Sequence, residues 1–213
     1  MTAHATSRRA QRDAKPRQGD RREKAILDAT RALLADTAFS DLTIAQIAAS
    51  AGVSRSLLYF YFEDKTQILL LLYSDVLEQM SAELERWFED PAKHAEPWSA
   101  ASIRAAVTVA LRNANVVCAA LDSRGSHPEI DQAWSMYFDR AVGRCTVLIE
   151  RERADGLAPS TGPSAQALGR ALMHMTLHSI HELLRAGASA ADAESLIETL
   201  TVLWARGTGR EPA

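Results

Sequence analysis

Cysteine is scarce: Cys118 and Cys145 are the only two in 213 residues, too few and too far apart for a disulfide framework. They read best as small buried apolar side chains, with a redox pair as the alternative. Long apolar runs are missing too, since Ile68 to Tyr73 falls far short of the roughly 18 residues a membrane span needs. The first residues carry arginines with no apolar stretch behind them. No secretory signal or membrane partner is therefore expected, and the cytoplasm is the expected compartment. Alternating β-branched or aromatic strand patterns do not occur, which points to an all-α fold. Nor is there a Gly-rich phosphate loop, a nucleophile elbow, or Ser, Cys and His at catalytic spacing. Enzyme chemistry and a bound cofactor are accordingly not expected.

What is present is a globular amount of apolar residue, 47 %, in a chain long enough for one large or two small domains. The net charge of −3 is unevenly spread. Up to Lys65 there are eleven basic and eight acidic residues; beyond it there are thirteen and nineteen. A basic front and an acidic rear imply that one end meets phosphate and the other does not. Arg8, Arg9, Arg12, Lys15 and Arg17 lie among small and polar residues with Pro16 and Gly19, too little apolar surface to fold alone. Residues 1–19 are expected to be a flexible basic arm, with an idle solvated tail as the plainer reading.

Helical spacing begins after the arm. Ile26, Leu27, Ala29, Thr30, Leu33 and Leu34 predict a helix from Asp20 to Thr37, ended by a polar break through Asp41. Thr43 and Gln46 have the spacing of a capping box, so a second helix starts there and stops at Gly52. Ser54 caps a third through Tyr61, and Asp64 a fourth from Lys65 to about Phe88. Further helices are expected over 97–113, 114–122, 128–154, 164–186 and 190–206. The breaker-rich stretch Gly156, Pro159, Gly162, Pro163 falls between two of them.

Two short helices joined by a tight turn are the simplest device for laying a helix in the major groove. Thr43 to Tyr61 fits it. Ala48 is small where the helices approach, Gly52 sits where the turn needs freedom from a Cβ, and Ile47, Val53 and Leu58 fix the packing angle. The run Val53-Ser-Arg-Ser-Leu-Leu-Tyr-Phe-Tyr-Phe-Glu-Asp-Lys65, entering a long helix, resembles the signature of the TetR family of bacterial repressors. The likeness is strong over about residues 20–70. It implies a three-helix helix-turn-helix head, residues 20–65, and a helical ligand-binding and dimerisation body, residues 66–213. It also implies that Arg55, Ser56 and Tyr59 occupy the exposed recognition positions, with Arg55 placed to pair with guanine. Thr43, Ser54, Tyr61 and Lys65 match phosphate-contacting positions. Tyr61 stands where many members have His. Phe60 and Phe62 are expected in the core; Tyr59 and Tyr61 are expected on DNA, the alternative being packing between helices.

Glu129 to Trp134, Ile149 to Pro159 and Leu200 to Trp204 are similar to a mycobacterial branch of that family whose body holds a long apolar tunnel. That likeness implies a ligand site at Trp98, Trp134, Phe138, Ala141, Met173, Thr176 and Trp204, with core packing of the tryptophans as the plainer reading. Ala141 replaces a tryptophan of that branch and Met173 an amide, so the ligand itself does not carry over. His174, His178 and His181 share one helical face. Interface or pocket-wall histidines are favoured over a metal site, since no further ligand has suitable spacing. Apolar stripes on the last two helices predict a homodimer through a four-helix interface. The function expected is a repressor that binds a palindromic double-stranded operator as a dimer. A small, largely apolar or amphiphilic effector would release it, with the fourth helix as lever. An activator, or a regulator without a ligand, is the alternative.

Overall fold

Nine α-helices and no strand are found among the residues that the computed structural model describes, 18–89 and 98–209. The arginines of the expected arm, Arg8 to Arg17, lie outside the described residues. Two compact units divide the chain, one ending at Ile68 and the other beginning at Leu69.

The first unit holds α1 (Gln18–Leu33), α2 (Ile44–Ser50), α3 (Arg55–Tyr61) and the start of α4 (Lys65–Glu89). Helix α1 begins before Asp20, whose carboxylate falls in the first turn, near the positive end of the helix dipole. It also ends at Leu33 rather than Thr37. The reason lies in the break that follows: Leu34, Phe39 and Leu42 are buried there. The chain must leave helical spacing to bring all three inward. Capping follows the sequence closely. The Thr43 hydroxyl accepts from the Gln46 N–H at 3.3 Å while the Thr43 N–H donates to Gln46 Oε1 at 2.8 Å. The Ser54 hydroxyl accepts from the Leu57 N–H at 3.1 Å. Between them Gly52 adopts φ +66°, left-handed backbone that a side chain disfavours. Ile26, Ile47, Ala48, Leu58 and Phe62 are buried and form this unit's core.

In the second unit α4 is followed by α5 (Trp98–Arg112), α6 (Ala114–Ser123), α7 (Pro128–Ala154), α8 (Ala165–Arg185) and α9 (Ala190–Thr208). Pro128 opens α7, where its missing N–H costs nothing. Glu129 and Asp131 sit in the first turn, Arg151 and Arg153 in the last, each matched to the helix dipole. Helix α8 packs along α7 and also meets α5, α6 and α9, while α9 leans on α5. Central α8 is therefore the element around which an internal cavity can form. Helix α9 stops at Gly209, φ +81°. A Cβ there would collide with the ring of Pro159, so glycine is required on two counts. No single helix among the described residues is long and apolar enough to cross a membrane.

Candidate functional site

Leu58 anchors α3, with no exposed surface. Successive residues rotate about 100° around a helix, so the residues flanking Leu58 on the short α3 point outward. Ser54, Arg55, Ser56 and Tyr59 are all exposed, and Arg55 forms no ion pair with a described residue. Tyr61 is half-buried; its hydroxyl lies 3.6 Å from where a Cβ on Gly19 would sit. The phenol thus reaches the first turn of α1, where unpaired backbone N–H groups gather. Thr43 is exposed, but its hydroxyl is engaged with Gln46, as cap acceptor and as donor to Oε1 at 2.6 Å.

One expectation for this surface changes. Phe60 is not in the core: it is 78 % exposed, whereas Phe62 is buried. Phe60 follows Leu58 by two residues, about 200° around the helix, which turns it away from the interior. Lys65, expected to contact phosphate, is engaged within the fold. Its ammonium donates to the carbonyls of Phe39, Ser40 and Leu42 at 2.7, 2.9 and 2.8 Å. All three of its donors are spent closing the break between α1 and α2.

In the second unit a cavity of about 40 Å³ lies among α5, α7, α8 and α9, room for a few water molecules. Four of the residues expected at a ligand site line it: Trp98, Met173, Thr176 and Trp204. Both indole N–H groups are paired. Trp98 Nε1 donates to Glu152 Oε1 at 2.8 Å and Trp204 Nε1 to Thr176 Oγ1 at 2.8 Å. The two indoles meet edge-on, centroids 5.5 Å apart. Ile103, Tyr137, Cys145 and Leu177 complete much of the wall and were not anticipated. Burial pushes the Cys145 thiol up to about 12 and raises the Tyr137 phenol as well, so both stay neutral and the lining is uncharged.

Trp134, Phe138 and Ala141 do not line this cavity. The rings of Trp134 and Phe138 stack on each other, with the Arg124 guanidinium 4.9 Å from the first ring and the Arg170 guanidinium 5.4 Å from the second. Those contacts hold both rings elsewhere on α7. Ala141 borders a smaller gap beside Ser81, Tyr137 and Arg140. The three histidines are not on the cavity wall either, because α8 turns Met173, Thr176 and Leu177 inward and His174, His178 and His181 to the adjoining face. His174 packs on Phe138, centroids 4.2 Å apart. Among the described residues no group of His, Cys, Asp and Glu is placed to hold a metal.

His181 sits 3.6 Å from Asp122, which also accepts from Arg185 at 2.7 Å. Burial lowers the imidazole's proton affinity, Asp122 opposing and Arg185 reinforcing the shift. A histidine kept neutral by the fold adds stability above its ordinary value of 6.5, and that stability is lost as pH falls through the lower folded value. Urea midpoints measured from pH 7 to pH 5 should therefore fall more steeply for the wild type than for His181→Leu. Parallel curves would show that His181 carries none of the pH dependence.

An exposed arginine and tyrosine on the second helix of a capped, glycine-turned helix pair define a helix-turn-helix DNA-binding protein. Comparison with known sequences agrees. Residues 26–72 match "Bacterial regulatory proteins, tetR family", and residues 98–208 match "Transcriptional regulator EthR, C-terminal domain". The chain belongs to the TetR family of transcriptional regulators. It is 30 % identical over 209 residues to the HTH-type transcriptional regulator EthR of Mycobacterium tuberculosis, covering 96 % of each chain. To EthR of Mycolicibacterium smegmatis it is 29 % identical, covering 96 % of this chain and 94 % of that one. Among solved structures it resembles NalD, the secondary repressor of the MexAB-OprM multidrug efflux pump in Pseudomonas aeruginosa. The TM-score is 0.70 at 21 % identity, covering 89 % of this chain and 98 % of that one. PfmR of Thermus thermophilus shares the fold with a TM-score of 0.69 at 20 % identity, covering 87 % and 98 %.

Proposed function

We propose that this regulator represses transcription by binding an imperfectly palindromic operator as a two-fold dimer, and that a small apolar or amphiphilic effector releases it. The reading is supported above all by the uncharged cavity between Trp98 and Trp204 in the unit that matches the EthR C-terminal domain. With both indole N–H groups already paired, burial of apolar surface is the main source of affinity left to a ligand. A ligand larger than the cavity's few waters must push wall side chains apart, and it shifts the protein toward whichever state tolerates that. Coupling to DNA runs along α4, whose residues fall in both units. Dimerisation uses α8 and α9, where Leu168, Met175, Leu183, Leu196 and Leu203 keep exposed surface; four such helices pack across a two-fold axis.

Within the head, Arg55 and Tyr59 contact base edges and the adjacent backbone, Ser56 lies beside them, and Ser54, Thr43 and Tyr61 meet phosphates. Residues 1–19 add salt-sensitive contacts. The test is fluorescence anisotropy on the DNA flanking the protein's own gene at two salt concentrations. Arg55→Ala and Tyr59→Ala should each weaken palindrome-dependent binding about tenfold, the scale of one lost base contact. Binding that is salt-sensitive but indifferent to sequence and to both substitutions would mean that only the basic arm acts.

A further inference from the structure

We propose that Phe60 is a base-reading residue: its phenyl ring packs on the C5 methyl of a thymine in the operator's major groove. The inference rests on the operator reading above and names a determinant of its specificity.

Phe60 is the most exposed of the large apolar side chains among the described residues, at 78 %. Its position makes that exposure informative. Counting about 100° per residue from the fully buried Leu58, Ser56 falls near 160° and Phe60 near 200°. These two, one turn apart, form the ridge of α3 farthest from the core, and both are exposed. Arg55 and Tyr59, at about 60° and 100°, lie on one flank of the ridge. A helix that enters a groove turns its outward residues, this ridge and the flank beside it, toward the DNA.

An uncharged ring gains nothing from phosphate. Among the groups that base pairs display in the major groove, the thymine methyl is the apolar one, and phenylalanine is among the side chains that suit it. The ring also has an aromatic neighbour before DNA arrives. It meets the Tyr61 ring edge-on, centroids 5.3 Å apart and planes at 86°, and the Tyr61 hydroxyl reaches toward Gly19 of α1. Phe60 and Arg55 thus divide the reading: the guanidinium takes a guanine, the ring a thymine, within one short helix.

Deoxyuridine tests this because it differs from thymidine by that methyl alone. The full-length protein first selects a duplex from a random 30-base-pair library. Anisotropy then follows wild type, Phe60→Ala and Phe60→Leu on the selected duplex and on copies with single dT→dU replacements. Wild type should lose about fourfold in affinity at one thymine per half-site, the worth of roughly one buried methyl. Phe60→Ala should bind the parent duplex about fourfold more weakly or worse and be indifferent to dU at that position. Phe60→Leu, still apolar, should keep part of the dU penalty. The salt slope of Phe60→Ala should match wild type, since no phosphate contact is lost. Because the ring is exposed, neither variant leaves a buried void, and matching unfolding midpoints will verify it.

Phe60→Ala binding the parent duplex as tightly as wild type overturns the proposal, and so does a wild-type dU penalty that survives in Phe60→Ala. A wild type insensitive to dU throughout, or a smaller salt slope in Phe60→Ala, places the ring on the sugar-phosphate backbone and overturns it too. A wild type that enriches no sequence overturns the operator reading itself, an outcome distinct from all of these.

Discussion

Replacing Lys65 by methionine should cost the first unit about 3–4 kcal/mol, enough to abolish operator binding through unfolding rather than through a lost phosphate contact. Hydrogen bonds to a charged group contribute roughly 1.5–3 kcal/mol each, and this ammonium makes three, to Phe39, Ser40 and Leu42. The three are not independent, so their sum is an upper bound. The same ammonium lies 4.8 Å from the centroid of the Phe39 ring, which ties the turn's apolar plug to the start of α4. Methionine keeps the apolar stem but leaves three carbonyls competing for water at a partly buried site. Lys65→Arg should recover only part of the loss, because a planar guanidinium cannot converge on three carbonyls as a tetrahedral ammonium does. Urea unfolding followed beside the anisotropy titration separates the two roles. A lower midpoint with binding lost supports the structural role. An unchanged midpoint with a salt slope smaller by about one is what a phosphate contact would give.

Lys65 also shows where sequence stops being informative. A lysine after Phe-Glu-Asp at the head of a helix looks alike whether it faces phosphate or folds back over residues 39–42. Only the path of the 34–43 turn decides. That path was itself hidden: Leu34 continued the helical spacing past the point where the helix stops, and Phe39 and Leu42 are buried without helical or strand periodicity to announce them. Helix ends were far more legible. Thr43 with Gln46, Ser54 and Pro128 each satisfy orphan N–H groups or tolerate a missing one by chemistry local to a few residues. Over α7 the expected span 128–154 and the observed Pro128–Ala154 coincide.

The cavity was half legible for a related reason. Trp98, Met173, Thr176 and Trp204 were reached through resemblance, yet Trp134 and Phe138 turned out to satisfy each other under Arg124 and Arg170. Large aromatics announce burial, not what they are buried against. Tyr137, Cys145 and Leu177 left a signal that could have been followed: 173, 176 and 177 form one stripe of α8, and 137 and 145 lie two turns apart on α7. Phe60 failed in the opposite direction. An aromatic between Tyr59 and Tyr61 invites a core assignment, and only its rotation from Leu58 corrects it.

The second large effect is expected at Trp204. Its side chain is 2 % exposed, donates to Thr176 and packs on the Trp98 ring. Truncation to alanine therefore removes buried area, an aromatic contact and the partner of a buried hydroxyl together. Large-to-small changes of this kind cost about 3–5 kcal/mol, and at 2–4 °C per kcal/mol for a chain of this size the melting temperature should fall by roughly 10 °C. Trp204→Phe should lose less, because most of the apolar volume remains. Indole separates a ligand-admitting site from an ordinary core position. Truncation joins the volume of the lost ring to a cavity that already exists, and the surrounding wall of Ile103, Met173 and Leu177 is apolar. Added indole should then bind Trp204→Ala and raise its melting temperature, by as much as about 2.7 kcal/mol of stability at a hundred times its dissociation constant. Wild type, whose cavity has room for only a few waters, should not respond at the same concentration. A loss without rescue would mean that the wall collapses around the missing ring, leaving Trp204 a packing residue. A rescue would show that helices α5, α8 and α9 hold their positions around a guest, the property an effector site needs if binding is to shift the protein rather than be absorbed by it.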